Sequence, residues 1–144
     1  MTIGPVSDQI ENLANLRVQQ LLLAEALDTA PLLVFVADEQ MRYVAVNQTA
    51  CDVLGYERSE LLRLRVTDVA AAPEAGDLYD AMLQTRRQEG STPIRTRDGR
   101  MIPFFYNARS ATVAGMHYFV SVGFVEEQLP PVLRELLSSR RRSE

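Results

Sequence analysis

Cys51, His117 and the pair Asp77 and Asp80 are the side chains of this 144-residue chain with the most chemistry to offer. A thiolate is a nucleophile or metal ligand, an imidazole moves protons or holds an iron, and paired carboxylates can divide general acid and base work. The spacing assembles none of these. One cysteine cannot form an internal disulfide, and no Cys/His cluster offers the ligands of a structural zinc site. Cys51 falls on a short helix behind two strands and reads as a small core residue. His117 follows the Ala114-Gly115 turn and reads as a partly exposed strand residue rather than an axial ligand. Asp77 and Asp80 share the solvated side of an expected helix, and no Ser, His and Asp are spaced as a triad. All 15 basic residues are arginines, which excludes lysine Schiff bases and a Gly-Lys-Ser phosphate loop. No enzyme and no metal site are expected.

The elements that must position any site are clearer than the site. Leu33, Phe35 and Ala37 alternate with Val34 and Val36, and a second short run follows the polar turn Asp38-Glu39-Gln40. Asn47 is placed to cap the next helix, Ala50, Val53 and Leu54 give it an apolar stripe, and Gly55 stops it. In the last strand His117, Phe119, Ser121 and Gly123 alternate with Tyr118, Val120, Val122 and Phe124, so both sheet faces need cover. Ahead of the sheet, Asp8 and Glu11 resemble a capping box opening a helix to Asp28. Leu13, Leu16, Gln20, Leu23 and Leu27 fall at three- and four-residue steps, a coiled-coil seam with one polar place. This amphipathic helix is expected to cover the outer sheet face, from the same chain or from a partner, and to form a homodimer. After Pro130-Pro131, residues 132–137 suit a short helix and the run Arg140-Arg141-Arg142 a frayed end.

Composition sets outer bounds. A hydrophobic fraction of 47% over this length suits one domain with one core. The net charge of -4 disfavours nucleic acid as a partner, and no apolar run reaches the length of a membrane span. A cytoplasmic location is expected.

The order strand, turn, strand, capped helix, Gly55-Tyr56 resembles the opening of a PAS domain, and the resemblance continues along residues 31–127. Ser59-Glu60-Leu61-Leu62 is similar to the family's second helix, residues 74–89 to its long helix stopped by Gly90, and Arg97-Asp98-Gly99-Arg100 to its turn between the third and fourth strands. Strands over 101–113 and 117–125 complete the pattern, with residues 1–30 as a leading helix and 128–144 as a linker with a basic tail. Gln40 stands where many members have Gly, and Val125-Glu126-Glu127 where many have Asp-Ile-Thr. The resemblance implies an α+β fold: a PAS-like five-stranded antiparallel sheet with helices on one face and the N-terminal helix over the other.

It also implies where a ligand would sit. Phe35, Phe104, Tyr106, Phe119 and Ser121 are expected toward the cavity under the helices, with Val66, Met82, Ile94 and Thr96 around it. Val34, Val36, Phe105, Val120, Val122 and Phe124 are left outside, the last three joining the dimer interface. Arg95 and Arg109, of opposite parity to the inner set, are expected in solvent. Val66 aligns with the adduct-forming cysteine of the light-sensing LOV branch, and Ile94, Phe104 and Gly123 with its flavin-binding amides, so flavin is disfavoured. Haem is disfavoured because no histidine lies on or just before the long helix. The resemblance implies an intracellular, bacterial, sensory and dimerisation module, acting on an effector in cis or in trans and binding an apolar small molecule. A ligand-free interaction scaffold and a small-molecule enzyme with a curved-sheet cavity are the alternatives.

Overall fold

The computed structural model describes residues 5–71 and 87–143. Among these, strands β1 Leu33–Ala37, β2 Tyr43–Val46, β3 Arg87–Arg95, β4 Met101–Val113 and β5 Met116–Phe124 form one sheet in the order β2-β1-β5-β4-β3. Each neighbouring pair is antiparallel. The helices are α1 Pro5–Asp28, α2 Gln48–Leu54, α3 Arg58–Leu61, α4 Val66–Val69 and α5 Pro131–Ser143, the last preceded by a 3-10 turn at Glu126–Gln128. The expected α+β architecture with a five-stranded antiparallel sheet is what the chain adopts.

Local chemistry makes the turns. The Asp38 carboxylate accepts from the backbone N–H groups of Gln40 at 2.9 Å and Arg42 at 3.0 Å, and pairs with the Arg42 guanidinium at 3.0 Å. Met41 takes the left-handed backbone there, with φ 65, next to Gln40. A bulge between Val36 and Ala37 puts Phe35 opposite Val46 and Ala37 opposite Tyr43, so that Tyr43 and Val46 are both buried while Val44 and Ala45 face solvent. Gly55 ends α2 at φ 81, its N–H donating to Cys51 O. Glu57 and Glu60 form a capping box on α3.

The core lies between the inner sheet face and α2, α3 and α4. Leu33, Leu54, Leu61, Val69, Ile94 and Val125 are almost wholly removed from solvent, each such burial favouring folding by about 1.5–3 kcal/mol.

Several expectations are corrected. α1 starts at Pro5, so Asp8 lies within the helix and does not cap it; proline suits a first helical turn, where its missing N–H costs nothing. Most of the expected helix over 74–89 lies outside the described residues, but Arg87, Gln88, Glu89 and Gly90 are strand, opposite Arg109, Ala108, Asn107 and Tyr106. Pairing with the long β4 overrides the helix preference of that charged run. The last strand sits one residue earlier than expected, leaving Val125 as a fully buried residue beyond it. α5 extends to Ser143 and takes in the arginine run read as frayed.

Of the two ways α1 was expected to cover the outer face, the one within the same chain is not what the described residues adopt. Leu16, Leu23 and Leu27 are exposed, as is Gln20, so within one chain this helix does not cover the sheet. It is also apolar on two sides: Val18, Leu21 and Leu22 are exposed and lie opposite the Leu16–Leu23–Leu27 seam. Leu13 belongs to that seam by spacing. On the outer sheet face Val34 is buried, whereas Val36, Phe105, Val120, Val122 and Phe124 are half-buried, Phe105 and Phe124 stacking with ring centroids 5.3 Å apart.

Candidate functional site

The inner face of the sheet brings most of the expected pocket residues together. Phe35 on β1 meets Phe104 on β4 edge to face, centroids 5.6 Å apart, and Tyr43 at 5.3 Å. Phe104 stacks on Tyr106 at 5.8 Å. Ile94 from β3 is buried in the same cluster, and Val66, at the start of α4, packs against it half-buried. Phe119 belongs to a second, smaller cluster with Ala108, and Tyr106 touches both clusters. Ser121 is half-buried between Phe35 and Ala108 in the strand register. Met82 lies outside the described residues. Burial pushes the Tyr106 hydroxyl's pKa upward, so the phenol stays a neutral donor. Burial, helped by the Asp68 carboxylate, does the same to Tyr43 more strongly.

Thr96 is buried but spoken for. Its hydroxyl donates to Asp98, lies 3.3 Å from Arg100 O, and accepts from Arg100 N at 2.9 Å, tying the β3–β4 turn in which Gly99 has φ 90. That leaves Tyr106 and Ser121 as the polar groups of the expected set with capacity toward the interior. An open cleft does exist beside this turn, between it and the end of α2, lined by Asp52, Leu54, Gly55, Arg97, Asp98 and Arg100. Its arginines are already answered: Arg97 pairs with Glu60 at 2.9 Å and lies over the Tyr56 ring, and Arg100 pairs with Asp98 at 3.4 Å.

Gly123 explains why an amide cannot stand at that position. A Cβ there would lie 2.1 Å from Phe105 O and 2.7 Å from the Phe104 ring, so the strand crossing admits only glycine. Cys51 and His117 are where the sequence placed them, while Asp77 and Asp80 lie outside the described residues. Cys51 is buried on α2, where burial pushes its thiol pKa up against the opposing pull of Arg58. His117 is exposed on β5, its Nδ1 3.2 Å from Thr112 Oγ1, and Arg95 and Arg109 are exposed. Among the described residues no group of three His, Cys, Asp or Glu side chains is arranged to hold a metal.

A cluster that sequence reasoning reduced to a helix cap lies at the root of α1. Asn47 Oδ1 accepts from Ala50 N at 3.1 Å, the cap, and from Val34 N at 3.0 Å; its Nδ2 donates to Leu27 O at 2.9 Å and Leu32 O at 2.8 Å. Asp28 accepts from Gln48 N at 3.0 Å and pairs with Arg58 at 2.6 Å. The only local signal was Asn at the cap position; the other partners lie at least 13 residues away in sequence.

The PAS domain family profile matches residues 31–128. No curated protein matches in sequence. Among solved structures, the chain is similar to a PAS domain from a two-component sensor histidine kinase, at 15% identity and TM-score 0.68, over 76% of this chain and 97% of that one. The PAS domain of an HTR-like protein from Haloarcula marismortui superposes with TM-score 0.69 at 19% identity, over 80% and 98%. A light-oxygen-voltage domain studied with a flavin analogue gives TM-score 0.60 at 15% identity, over 85% and 96%.

Proposed function

The chain belongs to the PAS domain family, and from that premise we propose that it is the sensory and dimerisation module of a signal-transduction protein, controlling an effector in cis or in trans. The observation that carries the dimer is α1 itself. Leu16, Leu23 and Leu27 stay 51%, 70% and 41% exposed, on a stretch of helix that no other described residue buries. Leucines at that spacing gain about 1.5–3 kcal/mol each on full burial, which favours pairing with a second copy along the seam through Leu13, Gln20 and Leu23, with Val120, Val122 and Phe124 beneath.

In this reading the ligand is small, uncharged and apolar, held against Phe35, Val66, Ile94, Phe104, Tyr106 and Phe119 with Ser121 and the Tyr106 hydroxyl as its polar contacts. Flavin is not the expected ligand, because the position aligned with the flavin-binding amide of the LOV branch is a glycine that admits no side chain. Haem is not expected either. Native mass spectrometry of the purified chain tests both parts: a dimer carrying a lipid-like or aromatic mass supports the sensor. An empty monomer overturns it.

A second reading, a ligand-free interaction scaffold, is favoured by one observation. Phe35, Tyr43, Phe104 and Tyr106 fill the inner face with ring-to-ring contacts at 5.3–5.8 Å. An empty dimer in the same experiment selects it.

A further inference from the structure

We propose that Asp28, Asn47 and Arg58 form a clamp that sets the direction of α1 and couples it to α2 and α3, so that a shift of those helices is read out at the far end of α1. Neither a ligand nor a dimer is needed for this link. Along α1 the side chains from Asn15 to Leu27 are exposed, so packing against the sheet does not set the helix's angle. Its root does. The Leu27 carbonyl, among the last four of the helix, receives Asn47 Nδ2 at 2.9 Å besides Ala30 N at 3.4 Å, and Asp28 receives both the Gln48 N–H and the Arg58 guanidinium. Thr49 Oγ1 adds a bond to Ala30 O just beyond the helix.

Asn47 is the centre of the device. Two donated and two accepted bonds use its whole hydrogen-bonding capacity and join α1, the start of β1 and the start of α2 at one buried side chain. Arg58 ties the same Asp28 to α3. The lever is long. The 24 residues of α1 span about 36 Å at ~1.5 Å per residue, so a tilt of about 10° at the root moves the far end by about 6 Å. The Asp28–Arg58 pair is partly exposed, its side chains 34% and 43% accessible, so solvent screens it and it adds little to global stability. Its effect is positional.

The test uses the full chain with Cys51→Ala, spin labels at Arg17→Cys on α1 and Arg109→Cys on β4, and an excess of unlabelled chain so that only distances within one chain are read. Asp28→Ala and Arg58→Gln are each expected to widen the distance distribution about twofold while the thermal midpoint moves by no more than about 3 °C. Unchanged widths in both variants overturn the proposal, and so does widening that appears only with collapse of the thermal midpoint. Because the readout lies within one chain, it separates this link from the sensor reading, which can fail through an empty or monomeric protein without affecting it.

Discussion

Asn47 and Gly123 show how differently single residues report themselves. Asn47→Ala removes four hydrogen bonds and leaves the buried Val34 N–H and the half-buried Leu32 carbonyl short of partners, while the Leu27 carbonyl keeps Ala30 N. The expected cost is about 2–3 kcal/mol, read as a thermal midpoint lowered by about 8 °C. Gly123→Ala forces a methyl against Phe105 O and the Phe104 ring, and is expected to cost about 3 kcal/mol in a denaturant melt. A neutral outcome for either would contradict the geometry. The cap at Asn47 and the stop at Gly55 were legible because their partners lie within four residues. The rest of the Asn47 network and the crowding at Gly123 were not, because distant segments create them.

At the scale of elements, the β1–β2 turn is held by a charge. Burial tends to raise the Asp38 carboxyl, but hydrogen bonds from the Arg42 backbone and side chain and the Gln40 backbone outweigh it and hold its pKa below the ordinary 3.8. A depressed folded pKa means that the contribution to stability is complete above the unfolded value and is lost as pH falls through the folded one. An NMR titration should therefore place Asp38 below 3.8, and Asp38→Asn should flatten the acid limb of stability below about pH 4. α1 invites the opposite kind of variant. Leu23→Asp adds a charge at a residue 70% exposed in the single chain, so it is expected to leave the fold intact and weaken association by tenfold or more, about 1.4 kcal/mol, in sedimentation equilibrium. Elements whose pattern agrees with their caps and turns were read correctly, β4 to the residue. The segment from Arg87 to Gly90 was misread as the end of a helix because its residues suit a helix locally, while its strand identity comes from β4 alongside it.

For the whole molecule, the inner sheet face is roofed by α2, α3 and α4, and the outer face and α1 keep apolar surface in reach of a partner. If a second copy covers them, the thermal midpoint should rise with protein concentration, whereas a midpoint independent of concentration across about a hundredfold range would count against the dimer.

By itself the sequence determined the alternation of the strands and the caps and turns, because each depends on residues a few positions apart whose backbone preferences add up, and the five-stranded PAS architecture followed from the family resemblance those elements carry in order. Only the tertiary structure decided that α1 leaves its own sheet uncovered, that β3 begins at Arg87, and that Asn47 joins three elements. Those outcomes turn on which surfaces and hydrogen-bonding groups meet across long stretches of chain, and a hydrophobic repeat specifies that a face must be buried without specifying against what.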